Sequence, residues 1–195
     1  MRAVGFKEFG DPEVLEVMDI PEVYANQGEI RIKNYASAVN PTDIVSRSGL
    51  IAQFRKDYPL PAVPGMDISG IVDQVGEGVE TGVSIGDQVM GMVIPNSLHG
   101  AYSEQITLNQ FAVVKAPKGF SFVESATLPM NGLTARLSLD LLNLTKGQVV
   151  AVTGGPGAYG GYVIQLAKAD GLIVIADSNE SDIELLRELG VDHII

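Results

Sequence analysis

Apolar positions recur along the chain with two different periods, and the change comes near residue 120. Before it, the apolar runs are short and largely alternate with polar residues, as half-buried strands do. Residues 2–7, 14–20, 29–39, 67–75, 88–94, 101–107 and 111–115 read this way. Turn chemistry lies between them: Phe9-Gly10-Asp11-Pro12 after the first run, and Gly76, Gly78, Gly82 and Gly86 before the fifth. Residues 41–49 interrupt the series as one or two helical turns, which Asn40 can cap, Pro41 can open and Gly49 can stop. The segment 59–64 is too rich in proline for a regular element. Many short strands with turns between them predict a closed or nearly closed β-domain over residues 1–120.

After that point the spacing turns helical. Residues 121–127 read as a short helix, and Leu133, Leu137, Leu141 and Leu142 place apolar positions at helical spacing over 131–143. The order then becomes strand (149–153), glycine loop, helix (159–168), strand (172–176), helix (180–189) and a last strand from Asp192. This βαβαβ series predicts the first half of a doubly wound parallel sheet over 121–195, so the fold class is mainly-β followed by α/β.

Composition narrows the partners. The net charge of −11 makes nucleic acid and anionic membranes poor partners. There is no cysteine, hence no disulfide framework and no thiolate-bound zinc. No apolar run has the length of a signal peptide or a membrane span, and the default expectation is a soluble cytoplasmic protein.

The chemistry concentrates in Gly154-Gly155-Pro156-Gly157-Ala158-Tyr159-Gly160-Gly161, where Gly155, Gly157 and Gly160 satisfy G-x-G-x-x-G. That pattern alone is weak. Here an apolar strand precedes it, a helix follows, and Asp177 lies 20 residues beyond Gly157. A pyrophosphate must approach such a backbone closely, which side chains would prevent, and the helix start offers free N–H groups and a positive dipole end. Asp177 can accept from a ribose 2′-hydroxyl. The alternative is a tight strand-to-helix turn without a ligand.

With the β-rich half in front of this loop, the chain resembles the medium-chain dehydrogenase/reductases, in their zinc-free quinone oxidoreductase-like branch. The resemblance rests on Asn40-Pro41-Thr42-Asp43, Pro64-Gly65-Met66-Asp67, Val75-Gly76-Glu77-Gly78, Gly86-Asp87, Gly100-Ala101-Tyr102 and Leu128-Pro129-Met130-Asn131-Gly132-Leu133-Thr134. It implies a GroES-like β-domain followed by part of a Rossmann domain. It also implies transfer of hydride from NAD(P)H to a quinone or α,β-unsaturated carbonyl. Met66 stands where zinc-dependent relatives carry a histidine, so no metal is expected.

The resemblance puts Asn40 and Thr134 near the nicotinamide, and Gly154, Gly155, Gly157, Ala158, Tyr159 and Gly160 along the pyrophosphate, with Asp43 positioning the segment of Asn40. Each has a plainer reading: Asn40 as a helix cap, Thr134 as a packing residue, Asp67 as a turn anchor, Tyr102 as core or pocket wall. His99 in its loop and His193 at the last strand read as solvated and structural. Tyr58, Phe54 and Leu98 are pocket walls or simple packing. No catalytic proton donor is assigned.

On the dinucleotide the signals conflict. Asp177, Glu180 and Asp182, with no lysine or arginine between Asp177 and Ile183, favour NAD(H), whereas the resemblance favours NADP(H). Members of this family run on for more strands, so a truncated chain is expected, with an open sheet edge, self-association through that edge as a homodimer, and weak turnover. A non-catalytic dinucleotide-binding or interaction module is the alternative function.

Overall fold

The computed structural model describes residues 1–54 and 58–195, in two compact units, Met1–Pro129 and Met130–Ile195. In the first, β1 (Arg2–Gly5) and β2 (Glu16–Asp19) pair antiparallel. Five further strands form an antiparallel sheet: β3 (Glu29–Ala36), β4 (Asp67–Val75), β5 (Gln88–Met92), β6 (Gln105–Asn109) and β7 (Val113–Lys115). Their order is β6-β3-β4-β5-β7. The two marginal strands are joined by a single 3₁₀ turn, Gln110–Ala112, whose start is closed by Asn109 accepting from the Phe111 N–H at 3.0 Å. The sheet therefore bends until its margins meet, which is the nearly closed form expected. The alternating residues Ile30, Ile32, Ile68, Val72, Val89, Ile106 and Leu108 fill its interior.

The strand expected over 101–107 begins only at Gln105. The Ala101 and Tyr102 amides donate to the Gly65 and Pro64 carbonyls, and Glu104 N–H donates to Arg2 O. These groups cross to other segments before the ladder with β3 begins. The expected helix at 41–49 is α1 (Pro41–Arg47); Gly49, at φ +83°, turns the chain into a 3₁₀ turn, Leu50–Gln53. Helix α2 (Phe122–Ala126) is closed at its start by Ser121 and Glu124, each accepting from the other's N–H. Phe122 stacks on Tyr35 of β3 at 4.6 Å between centroids, which ties the 121–127 segment to the first unit.

The second unit holds α3 (Pro129–Leu142), β8 (Val149–Val152), α4 (Ala158–Ala169), β9 (Ile173–Ala176), α5 (Ile183–Glu188) and β10 (His193–Ile194). Its strands pair in parallel in the order β10-β9-β8, with Val152 opposite Ala176. This is the βαβαβ series expected. The helix expected over 180–189 is divided, with a 3₁₀ turn at Glu180–Asp182 before α5. Val150, Val152, Val163, Ile164, Val174 and Leu186 form the core, joined from α3 by Ala135 and Leu139.

The leucines that announced α3 are on its other face. Leu133, Leu137, Leu141 and Leu142 are 48%, 61%, 87% and 54% exposed, while Ala135 and Leu139 are buried. Spacing identified the helix but not its buried side, because small Ala135 is what lets α3 approach the sheet closely. Among the described residues, β8 has a strand partner only in β9, and Val149 is 53% exposed. No helix among them is long and apolar enough to cross a membrane.

Candidate functional site

The 154–161 loop leaves the C-terminal end of β8 and enters α4, and its glycines divide by what surrounds them. Gly154 takes φ +68°, and a Cβ there would meet nothing within 4 Å. Gly155 lies on the end of β9, where a Cβ would meet the side chains of Ala176 at 3.0 Å and Leu186 at 3.1 Å. Gly157 is the N-cap of α4, with Gly154 O at 3.2 Å as the one neighbour of a Cβ. Gly160 is wedged against the loop, a Cβ there lying 2.3 Å from Gly154 O. Gly155 and Gly160 are thus glycine for packing, while Gly154 and Gly157 leave the outer face of the loop bare. Above that face stands the first turn of the 12-residue α4, whose leading N–H groups have no acceptor within the helix. A bare backbone cradle in front of a helix dipole fits a pyrophosphate.

Asp177 closes the loop from the end of β9. Its Oδ1 accepts from the N–H of Gly154 at 2.6 Å and of Gly155 at 3.4 Å. The sequence reading placed this carboxylate opposite a ribose; in the structure it fastens the loop. Ala158 and Tyr159 open α4, and the Tyr159 hydroxyl donates to Ser138 Oγ at 2.7 Å. Ser138 Oγ in turn donates to Thr134 O at 2.8 Å, and Thr134 Oγ1 to Met130 O at 2.6 Å. Tyr159 and Thr134 are therefore linked through Ser138, which the sequence reading did not single out. Its one signal, a polar residue four positions after Thr134 in an apolar helix, is weak.

In the first unit, three distant segments converge on Asp43. Its Oδ2 accepts from the Asn40 N–H at 2.8 Å and from the Tyr102 hydroxyl at 3.1 Å, and its Oδ1 from the Gly65 N–H at 2.9 Å. The Asn40 side-chain amide donates to Asp67 Oδ2 at 2.6 Å. Asn40, Asp43 and Asp67 are all buried, Asp67 completely. Asn40 does stand at the start of α1, where Asp43 closes the first turn back onto it, while Asp67 sets the plane of its amide. Gly65 takes φ +101°, and a Cβ would strike the Tyr102 ring. Burial, reinforced by neighbouring Asp43, pushes the Tyr102 hydroxyl far up, so it keeps its proton and directs it at Asp43.

The remaining candidates stand apart from these clusters. His99 is half-buried beside a cavity of about 320 Å³ that Leu98, Ile20 and Gln105 also line, and desolvation lowers its pKa. His193 is exposed at the start of β10, Phe54 is 85% exposed, and the Tyr58 ring lies 6.1 Å from that of Phe9.

Comparison with known proteins agrees with this architecture. The alcohol dehydrogenase GroES-like domain family matches residues 26–134. A 2-methylene-furan-3-one reductase of Solanum lycopersicum is 35% identical over 203 residues, covering 98% of this chain and 51% of that protein. The NADPH-dependent alkenal/one oxidoreductase, chloroplastic, of Arabidopsis thaliana is 32% identical, again covering 98% and 51%. The structure of the quinone oxidoreductase from Coxiella burnetii superimposes with a TM-score of 0.87 at 34% identity, covering 100% of this chain and 62% of that one. The chain spans about half the length of the curated relatives it matches.

Proposed function

The chain belongs to the medium-chain dehydrogenase/reductase superfamily, and on that premise we propose that it holds a nicotinamide dinucleotide on the 154–161 loop for hydride transfer to a quinone or an α,β-unsaturated carbonyl. The observation that carries this reading is the bare glycine cradle between β8 and the start of α4. The relatives named as alkenal/one, furanone and quinone reductases support the acceptor class.

When bound, the dinucleotide supplies the hydride. The chain's own residues bind and orient: within the second unit the loop N–H groups and the α4 terminus take the pyrophosphate. Asp67 and Asp43 hold Asn40 in place. Thr134 directs its proton to Met130 O and offers a lone pair. We read the chemistry as metal-independent, since the chain has no cysteine and carries Met66 where zinc-dependent relatives carry histidine. A quinone or enone needs a hydride held close and a proton source, less than an alcohol requires.

Titration of the full chain with NADH and NADPH, followed by nicotinamide fluorescence, tests the reading; absence of binding to either would overturn it. In Gly157→Val, binding is expected to disappear, with a loss of stability of about 1 kcal/mol. The residue has ordinary backbone angles, φ −69° and ψ 162°, so the backbone can keep its course, but the Cβ would press on Gly154 O at 3.2 Å and the side chain would fill the cradle. A Gly157→Val protein that still binds would refute the site.

A second reading is a dinucleotide-binding module without turnover, which needs the 154–161 cradle alone. The expected result is binding with weak or absent oxidation of NAD(P)H by a quinone. Turnover at an ordinary enzymatic rate, on the order of 1–10³ s⁻¹, would exclude the module reading.

A further inference from the structure

We propose that the first unit carries a second binding site, for a small neutral ring compound bearing a hydroxyl group, in the cavity between residues 20–23, the 96–99 hairpin and the start of β6. The inference does not rest on the dinucleotide reading. None of the residues lining this cavity belongs to the Asn40, Asp43, Asp67 and Tyr102 cluster.

The cavity holds about 320 Å³, and its walls include Ile20, Val23, Leu98 and Ile106. A dry apolar cavity of about 150 Å³ admits benzene, so this one has room for a single ring with substituents. Two polar side chains, His99 and Gln105, also line it. The Gln105 Oε1 is buried and has no hydrogen-bond partner. An unpaired buried acceptor is a net cost, and a methionine or leucine would fill the same place on β6 without it. The terminal torsion of an amide is soft, so its oxygen or its nitrogen can turn to a guest. His99 is carried on a closed hairpin: its N–H donates to Asn96 O at 3.0 Å, and its carbonyl accepts from Asn96 N–H at 2.8 Å. Desolvation lowers the pKa of its ring against an opposing pull from Glu29. Near neutral pH the imidazole is therefore uncharged and presents one N–H and one bare nitrogen.

These groups define the guest. Gln105 and His99 together offer donors and acceptors, which a hydroxyl, itself both, can match. No lysine or arginine among the described residues lines the cavity, and Met1 on its rim directs its ammonium to Ile20 O at 3.0 Å. A carboxylate or phosphate would enter apolar surroundings without a dedicated counterion. A water could pair with Gln105, but it would leave the apolar walls uncovered. The frame is already in place without a guest: Ser103 Oγ lies 2.8 Å from Gly100 O and 3.0 Å from Gln105 O, and joins the exit of the hairpin to β6.

The test is titration of the full chain with phenol, followed on the imidazole signals by NMR. The chain has two histidines, and His193→Gln tells their signals apart. Phenol is expected to move the His99 signal with a Kd of about 1 mM or below and to leave that of His193 in place. Toluene has the same size without the hydroxyl. It should bind about tenfold more weakly, because it leaves both polar groups unpaired, and benzoate more weakly still. Gln105→Met removes the amide at nearly constant volume, and should lose phenol affinity about tenfold while keeping that for toluene. A His99 signal that stays still at phenol concentrations well above that Kd would overturn the proposal. So would toluene or benzoate binding as tightly as phenol, or unchanged phenol affinity in Gln105→Met. The wild-type titrations decide the matter even where the variant fails to fold.

Discussion

Gly160→Ala is expected to lower stability by about 2 kcal/mol, although alanine in a helix ordinarily gains up to about 1 kcal/mol over glycine. The added methyl would stand 2.3 Å from Gly154 O and 2.9 Å from Gly155 O, and both are backbone atoms of a loop held at its other side by Asp177. The helix cannot keep its seat without displacing the loop, so overpacking outweighs propensity. Gly161 provides the control. It is the next residue of α4, and a Cβ there would meet only Leu189 Cδ1, at 3.7 Å. Gly161→Ala should therefore be neutral or stabilising by some tenths of a kcal/mol up to about 1. Denaturant unfolding of the pair checks this. Two variants that move in the same direction would show that α4 is not wedged at Gly160.

Asp43→Ala is expected to be more damaging, by about 3–5 kcal/mol. The aspartate is 5% exposed and accepts from the N–H groups of Asn40 and Gly65 as well as from the Tyr102 hydroxyl. Removing it strands two backbone donors in a site where water has little access, at roughly 1–3 kcal/mol each. It also releases the start of α1 and the turn at Gly65. Tyr102→Phe removes one donor and leaves the acceptor with two others, so about 1 kcal/mol is expected. Chemical denaturation of the two variants reports the difference. An Asp43→Ala protein as stable as Tyr102→Phe would mean that the two backbone donors find other acceptors.

The features legible in the sequence were those whose signal is local. The strand series, the βαβαβ order and the glycine loop all announce themselves within about ten residues, through period and turn chemistry. The features that were not legible join distant segments. Asp43 meets Tyr102 across 59 residues, and no local pattern encodes that meeting. Asp177 was recognisable by its spacing from the loop, but its bond to Gly154 N–H depends on how closely β8 and β9 pair. The α3 leucines show the limit most clearly. Their period gave the helix, yet which face is covered depends on the neighbours, and the sheet is met by Ala135 and Leu139.

The one-sided pairing of β8 among the described residues makes adjacent residues of one strand unlike in their expected exchange with solvent. Amides of a strand point alternately to its two sides. Those of β8 that face β9 lie inside a ladder, while those facing the other way have no strand partner among the described residues. Hydrogen–deuterium exchange over Val149–Val152 should thus alternate between slow and fast from residue to residue. Any strand that came to lie along this edge, from whatever source, would register there as the disappearance of that alternation.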